Sequence, residues 1–160
     1  ALFVRPFGCQ RPWLPHYCRA LSSLLRENCL GNGTGPSVLH EAAFRCCCRH
    51  VIQAMMNINP LQAVHLDARL DSPLHLLFLG IANRRIQQED MEQIVDLLLP
   101  PLSIMATSIR NCHGCLPIHC ATAAPETMVP QGTIERLLEA SPLSVSRGKH
   151  LEKTPLHLSA

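Results

Sequence analysis

The sequence predicts an all-α solenoid of stacked helix-turn-helix repeats, joined by short turns or β-hairpin-like connections. Three observations carry this prediction. A tetrad recurs four times, as Ser37-Val38-Leu39-His40, Ser72-Pro73-Leu74-His75, Leu116-Pro117-Ile118-His119 and Thr154-Pro155-Leu156-His157, with its histidines 35, 44 and 38 residues apart. Self-similarity at such a period is the signature of a repeat array. Each complete unit then follows the tetrad with a short apolar segment and a second, amphipathic one. Finally, aromatic residues make up only 4% of a chain that is 47% apolar, a composition that suits packed helices better than sandwiches or barrels.

The elements follow in order. Residues 1–34 show no period, and they hold most of the aromatic side chains (Phe3, Phe7, Trp13 and Tyr17) among Pro6, Pro12 and Pro15. Within them, 19–29 is a candidate helix that caps the stack. The repeats divide as 35–69, 70–113, 114–151 and a truncated 152–160. Each tetrad is expected to start a helix: Ser37, Ser72 and Thr154 supply a capping hydroxyl, Pro73, Pro117 and Pro155 fit the first helical position where no N–H is required, and the next apolar residue turns inward. The segments that follow, such as Glu41-Ala42-Ala43-Phe44 and Cys120-Ala121-Thr122-Ala123-Ala124, are rich in small side chains that let helices approach closely. Second helices are expected over 51–56, 91–99 and 133–140. In the middle one Ile94, Leu97 and Leu98 recur at i, i+3 and i+4 with Glu92, Gln93 and Asp96 between them, which places one face on a core. Pro and Ser then end the helix at Asn59-Pro60-Leu61, Pro100-Pro101-Leu102-Ser103 and Ser141-Pro142-Leu143-Ser144, ahead of a polar turn. The longest interval contains Gly80 to Asp90, expected as an extension or an outward loop bearing Arg84 and Arg85.

With these residues in view, Thr154-Pro155-Leu156-His157-Leu158-Ser159-Ala160 resembles the ankyrin signature Thr-Pro-Leu-His-x-Ala, its closing alanine one residue late. The stretch from Asn111 to Ala121 resembles a degenerate copy, with Gly114 as its turn glycine. The likeness extends over about 35–160. It departs from the family pattern in its longer intervals, in Val38 and Leu116 within the tetrads, and in Leu70 and Glu152 at turn-glycine positions. The resemblance implies an ankyrin-repeat scaffold that binds a protein partner on its concave face, and it implies that the tetrad histidines His40, His75, His119 and His157 tie adjacent turns together. By the same resemblance, the side chains expected to meet a partner are Phe44, Arg45, Arg69, Asp71, His113, Cys115 and Lys153, while Ser37, His40, Ser72, Pro73, His75, Pro117, His119, Thr154, Pro155 and His157 form the structural motif.

Other function classes are disfavoured by the residues themselves. Fourteen basic and twelve acidic side chains give a formal charge of +2, without the concentrated basic stripe that many phosphate contacts demand, so nucleic acid is not an expected partner. No uninterrupted apolar run approaches the roughly 20 residues needed to cross a bilayer, so no membrane span is expected. Nine cysteines are an odd count and are expected to be mostly reduced, which points to an intracellular, cytoplasmic setting. Cys46, Cys47 and Cys48 read as small apolar filler. The competing motif is Cys112-His113-Gly114-Cys115 with His119 and Cys120, whose Cys-x2-Cys spacing is one that zinc sites use, but no second pair completes a tetrahedral set. A zinc-stabilised module is therefore an alternative rather than the expectation, and neither metal nor cofactor is expected. No phosphate loop, Gly-x-Ser-x-Gly elbow or His-Glu-x-x-His motif is present, so the segment is not expected to be an enzyme. A regulatory segment of a larger enzyme remains a second alternative. The chain ends inside its fourth tetrad unit, where an end repeat would leave apolar surface bare. Further repeats are expected beyond 160, with marginal stability or association for the segment alone.

Overall fold

The computed structural model describes residues 37–45, 49–81, 88–99, 103–125 and 128–146. Among them every regular element is helical: α1 Val38–Phe44, α2 Arg49–Ile58, α3 Pro73–Ile81, α4 Gln88–Leu98, α5 Ser103–Ser108, α6 Pro117–Ala123 and α7 Gln131–Ala140, with 3-10 helices at Pro60–Val64 and Pro142–Val145. The candidate capping helix, Cys46 to Cys48, Arg84 and Arg85, and the fourth tetrad lie outside the described residues.

The three described tetrads each begin a helix at their second residue, and Pro73 and Pro117 occupy the first helical position. The hydroxyls also meet the imidazole one turn on: Ser37 Oγ lies 2.7 Å from His40 Nδ1, and Ser72 Oγ lies 2.8 Å from His75 Nδ1, and at Ser37 the pair forms a capping box.

Like helices pack on like. α1 contacts α3 and α3 contacts α6, while α2 contacts α4 and α4 contacts α7. Burial follows from these positions. α3, with neighbours on two sides and α4 beside it, buries Leu74, His75, Leu77, Phe78, Gly80 and Ile81, as a helix enclosed by others must. α1 meets it through Leu39, Ala42 and Ala43, all fully buried. The outer row keeps one wet face: α2 buries Ile52, Met55 and Met56, and α4 buries Met91, Ile94, Val95 and Leu98. Arg136 on α7 bridges to α4 through Glu92 at 2.9 Å and Asp96 at 2.7 Å, and Arg49 on α2 donates to Gln93 on α4 at 2.7 Å.

Two features depart from the sequence reading. α3 continues through Gly80 to Ile81 and α4 begins at Gln88, so the described residues of the stretch read as an extension or an outward loop belong to the two helices. A side chain at Gly80 would overlap the Phe44 carbonyl, with the carbonyl carbon at 2.8 Å, and the missing Cβ is what lets α1 and α3 close together. The second departure is a third short segment in each unit. Pro60 and Pro142 start a further turn, at Pro60–Val64 and Pro142–Val145, and in the unit between them α5 begins at Ser103; the first of these segments packs on α5. Asn59 caps it, its Oδ1 accepting from Leu61 N at 3.1 Å.

Candidate binding surface

The segments that lead into the second and third tetrads fold as matching turns. Asp67 N–H donates to the Asp71 carbonyl and Leu70 N–H to the Asp67 carbonyl, and in the next unit Asn111 and Gly114 repeat the pattern with Cys115 and Asn111, all at 2.9 to 3.0 Å. In both turns the fourth residue takes a positive φ, 60° at Leu70 and 71° at Gly114. The first residue organises the loop with its side chain: Asp67 Oδ1 accepts from the N–H groups of Arg69 and Asp71, and Asn111 Oδ1 accepts from those of His113 and Cys115. Asx side chains favour this geometry because they can bind backbone donors two and four residues ahead.

Three connections lock one turn to the next. Cys112 N–H donates to the Arg69 carbonyl at 2.9 Å. Asn111 Nδ2 donates to Asp71 Oδ1 at 2.9 Å in a buried setting. The tetrad histidines reach forward: His40 Nε2 donates to the carbonyls of Asp71 and His65, and His75 Nε2 donates to that of Cys115 at 2.9 Å. Their Nδ1 atoms accept from Ser37 N–H and Ser72 N–H, as His119 Nδ1 does from Leu116 N–H. Burial pushes the His40 and His75 pKa values below 6.5, a shift only partly offset by the carbonyls that accept from Nε2.

This scaffold presents a surface of two parts. On the first helices, the position four residues past the tetrad histidine is exposed in every described unit, as Phe44, Leu79 and Ala123. Phe44 is 40% and Leu79 43% exposed, and the Phe44 backbone lies against Gly80, the residue after Leu79. At the turn tips Arg69, Arg110, Cys112 and His113 face outward.

The sequence-predicted contact residues are distributed unevenly over that surface. Phe44, Arg45, Arg69 and His113 are exposed, Arg45 pairing with Glu41 one turn back on α1. Asp71 is only 3% exposed, its carboxylate bound to Asn111, so it joins two turns rather than facing a partner. Cys115 is half-buried and contributes its carbonyl to His75. Lys153 lies outside the described residues. The residues from Cys112 to Cys120 do not converge: Cys112 is exposed, His119 is 1% exposed on α6, and among the described residues no three His, Cys, Asp or Glu side chains gather as ligands.

Sequence reasoning missed Leu79, although it stands in the same register as Phe44. It also missed Asp67 and Asn111, whose spacing matches that of the second and third tetrads. No described helix is long and apolar enough to cross a membrane. No family model matches the chain, and no curated protein matches it.

Proposed function

We propose that this chain is a solenoid of degenerate ankyrin-like repeats, acting in the cytoplasm as a scaffold that binds a protein partner and carrying no catalytic centre of its own. The observation that carries this reading is the surface formed by the first helices and the turn tips. Phe44 and Leu79 expose large apolar side chains at one register of neighbouring helices, on elements otherwise almost wholly buried. Adjacent exposed apolar residues on a rigid frame are what a protein interface uses as anchors. The frame is rigid for a stated reason: histidine, Asx and backbone hydrogen bonds span from each described turn to the next, so little ordering entropy is lost on binding. Resemblance to ankyrin repeats supports the same face.

Site-directed photo-crosslinking in cells tests the reading. A photoreactive residue at Leu79 is expected to capture a discrete protein band, and one at Gln93 on α4 is not. Crosslinks from Gln93 alone, or from neither position, would overturn it.

A further inference from the structure

The structure assigns a chemical class to the partner: we infer that the surface of first helices and turn tips takes an acidic peptide segment bearing bulky apolar side chains. This inference rests on the binding reading above and adds the sign of the partner's charge.

Exposed charge differs between the turns and the pair α4 and α7. Along the turns, the exposed polar side chains other than Cys112 carry N–H donors: Arg69 and His113 hold the same place in successive turns, with His65 ahead of the first and Arg110, which donates to the Gly114 carbonyl at 2.7 Å, beside the second. The two tips adjoin, because Cys112 N–H donates to the Arg69 carbonyl. The carboxylates of this region are turned to internal use. Asp71 is buried against Asn111, and half-buried Asp67 accepts from two backbone N–H groups. Glu41 pairs with Arg45.

Of the second helices, α2 carries Arg49 and His50 with no carboxylate, whereas α4 and α7 have the opposite balance. α4 and α7 carry Asp90, Glu92, Asp96, Glu135 and Glu139, while Arg136 is their one cation among the described residues, already engaged by Glu92 and Asp96. An acidic segment is therefore repelled from that face and drawn to the turn tips, where fields of this kind set orientation and on-rate more than final affinity. Affinity must come from burial. Phe44 and Leu79 supply it, since apolar area still exposed on each is removed from water when a peptide covers it. Carboxylates for the tips and bulky apolar groups for the helices together define the peptide.

The test uses the whole 160-residue chain and fluorescence anisotropy, with three labelled probes: a short peptide alternating Glu and Leu, its counterpart with Lys for Glu, and its counterpart with Ser for Leu. The Glu/Leu peptide is expected to bind, more weakly as salt is raised, and the other two at least roughly tenfold more weakly. Arg69→Glu combined with His113→Glu is expected to weaken Glu/Leu binding roughly tenfold or more by placing like charge at the tips. Both side chains are exposed, so helical circular dichroism should not change. Absence of Glu/Leu binding, equal binding of the Lys/Leu peptide, or indifference to the double substitution overturns the inference. If the Lys/Leu peptide binds best and Leu79→Asp abolishes that binding, the acidic partner is excluded while the binding face stands. If Glu/Leu binding persists in Leu79→Asp and is lost in Glu92→Lys, both readings fall.

Discussion

At His40 and His75 a backbone N–H donates to Nδ1, which leaves the ring proton on Nε2, where it is donated to the next turn. A second proton has no place to bind without breaking the contact at Nδ1, and burial disfavours the charge as well. The consequence for stability has a definite sign. The pKa of each ring in the fold lies below the 6.5 of the unfolded chain, so the unfolded state binds more protons in the window beneath 6.5. Stability is therefore complete above that value and falls as the pH drops through the window. Urea midpoints between about pH 5 and about pH 8 should rise with pH, and the rise should be shallower in His75→Gln. Leu70 offers a second residue-scale test. Its positive φ is natural to glycine and costs a leucine about 1 kcal/mol or more, and the side chain is 48% exposed with little packing to lose. Leu70→Gly should raise the urea midpoint by about 1 kcal/mol equivalent, and Gly114→Ala should lower it by a similar amount.

Among the elements, α1 and α3 meet most closely at Phe44 and Gly80. Alanine at Gly80 has the better helix propensity, by about 1 kcal/mol, but its Cβ would collide with backbone, which cannot swing aside as a side chain can. The collision should prevail: Gly80→Ala is expected to cost about 1–3 kcal/mol in chemical denaturation, despite the gain in propensity. This position also marks where sequence legibility ends. The starts of α1, α3 and α6 are legible because proline or a serine hydroxyl marks each first turn, and α4 is legible because Ile94, Leu97 and Leu98 share one face. Gly80 stands only as the start of an interval expected to extend or loop out, and the proximity of the Phe44 backbone shows why a glycine sits within α3. Pro60 and Pro142 read as stops, since proline ends the helix it follows, yet the same restricted φ starts the next short turn. At the candidate surface, Phe44, Arg69 and His113 are legible by their register in the repeat. Asp71 is not, because its burial depends on Asn111, forty residues further on.

For the molecule as a whole, the pairing of like helices makes each unit depend on its neighbours, and α3 holds the central position. It contacts α1, α4, α6 and the 3-10 helix at Pro60–Val64, whereas α7 contacts α4, α5, α6 and the 3-10 helix that follows it. In a chain of nearest-neighbour interfaces, damage to a helix is felt most by the elements it contacts and fades with each interface beyond them. Leu77 on α3 and Leu137 on α7 are both buried, at 0% and 1% exposure, so truncating either to alanine removes similar apolar area and should cost about 2–5 kcal/mol locally. The spread of the effect should differ. In native-state hydrogen exchange, Leu77→Ala is expected to reduce protection in α1, α2, α4 and α6 together, because the rows on both sides lose their shared partner. Leu137→Ala should reduce protection in α7 and in the turn that follows, with a diminishing effect on α4 and none resolved in α1. Uniform loss of protection from both variants would mean that the described helices unfold as one indivisible core, and the repeat architecture would then be a description of the chain's shape and not of its energetics.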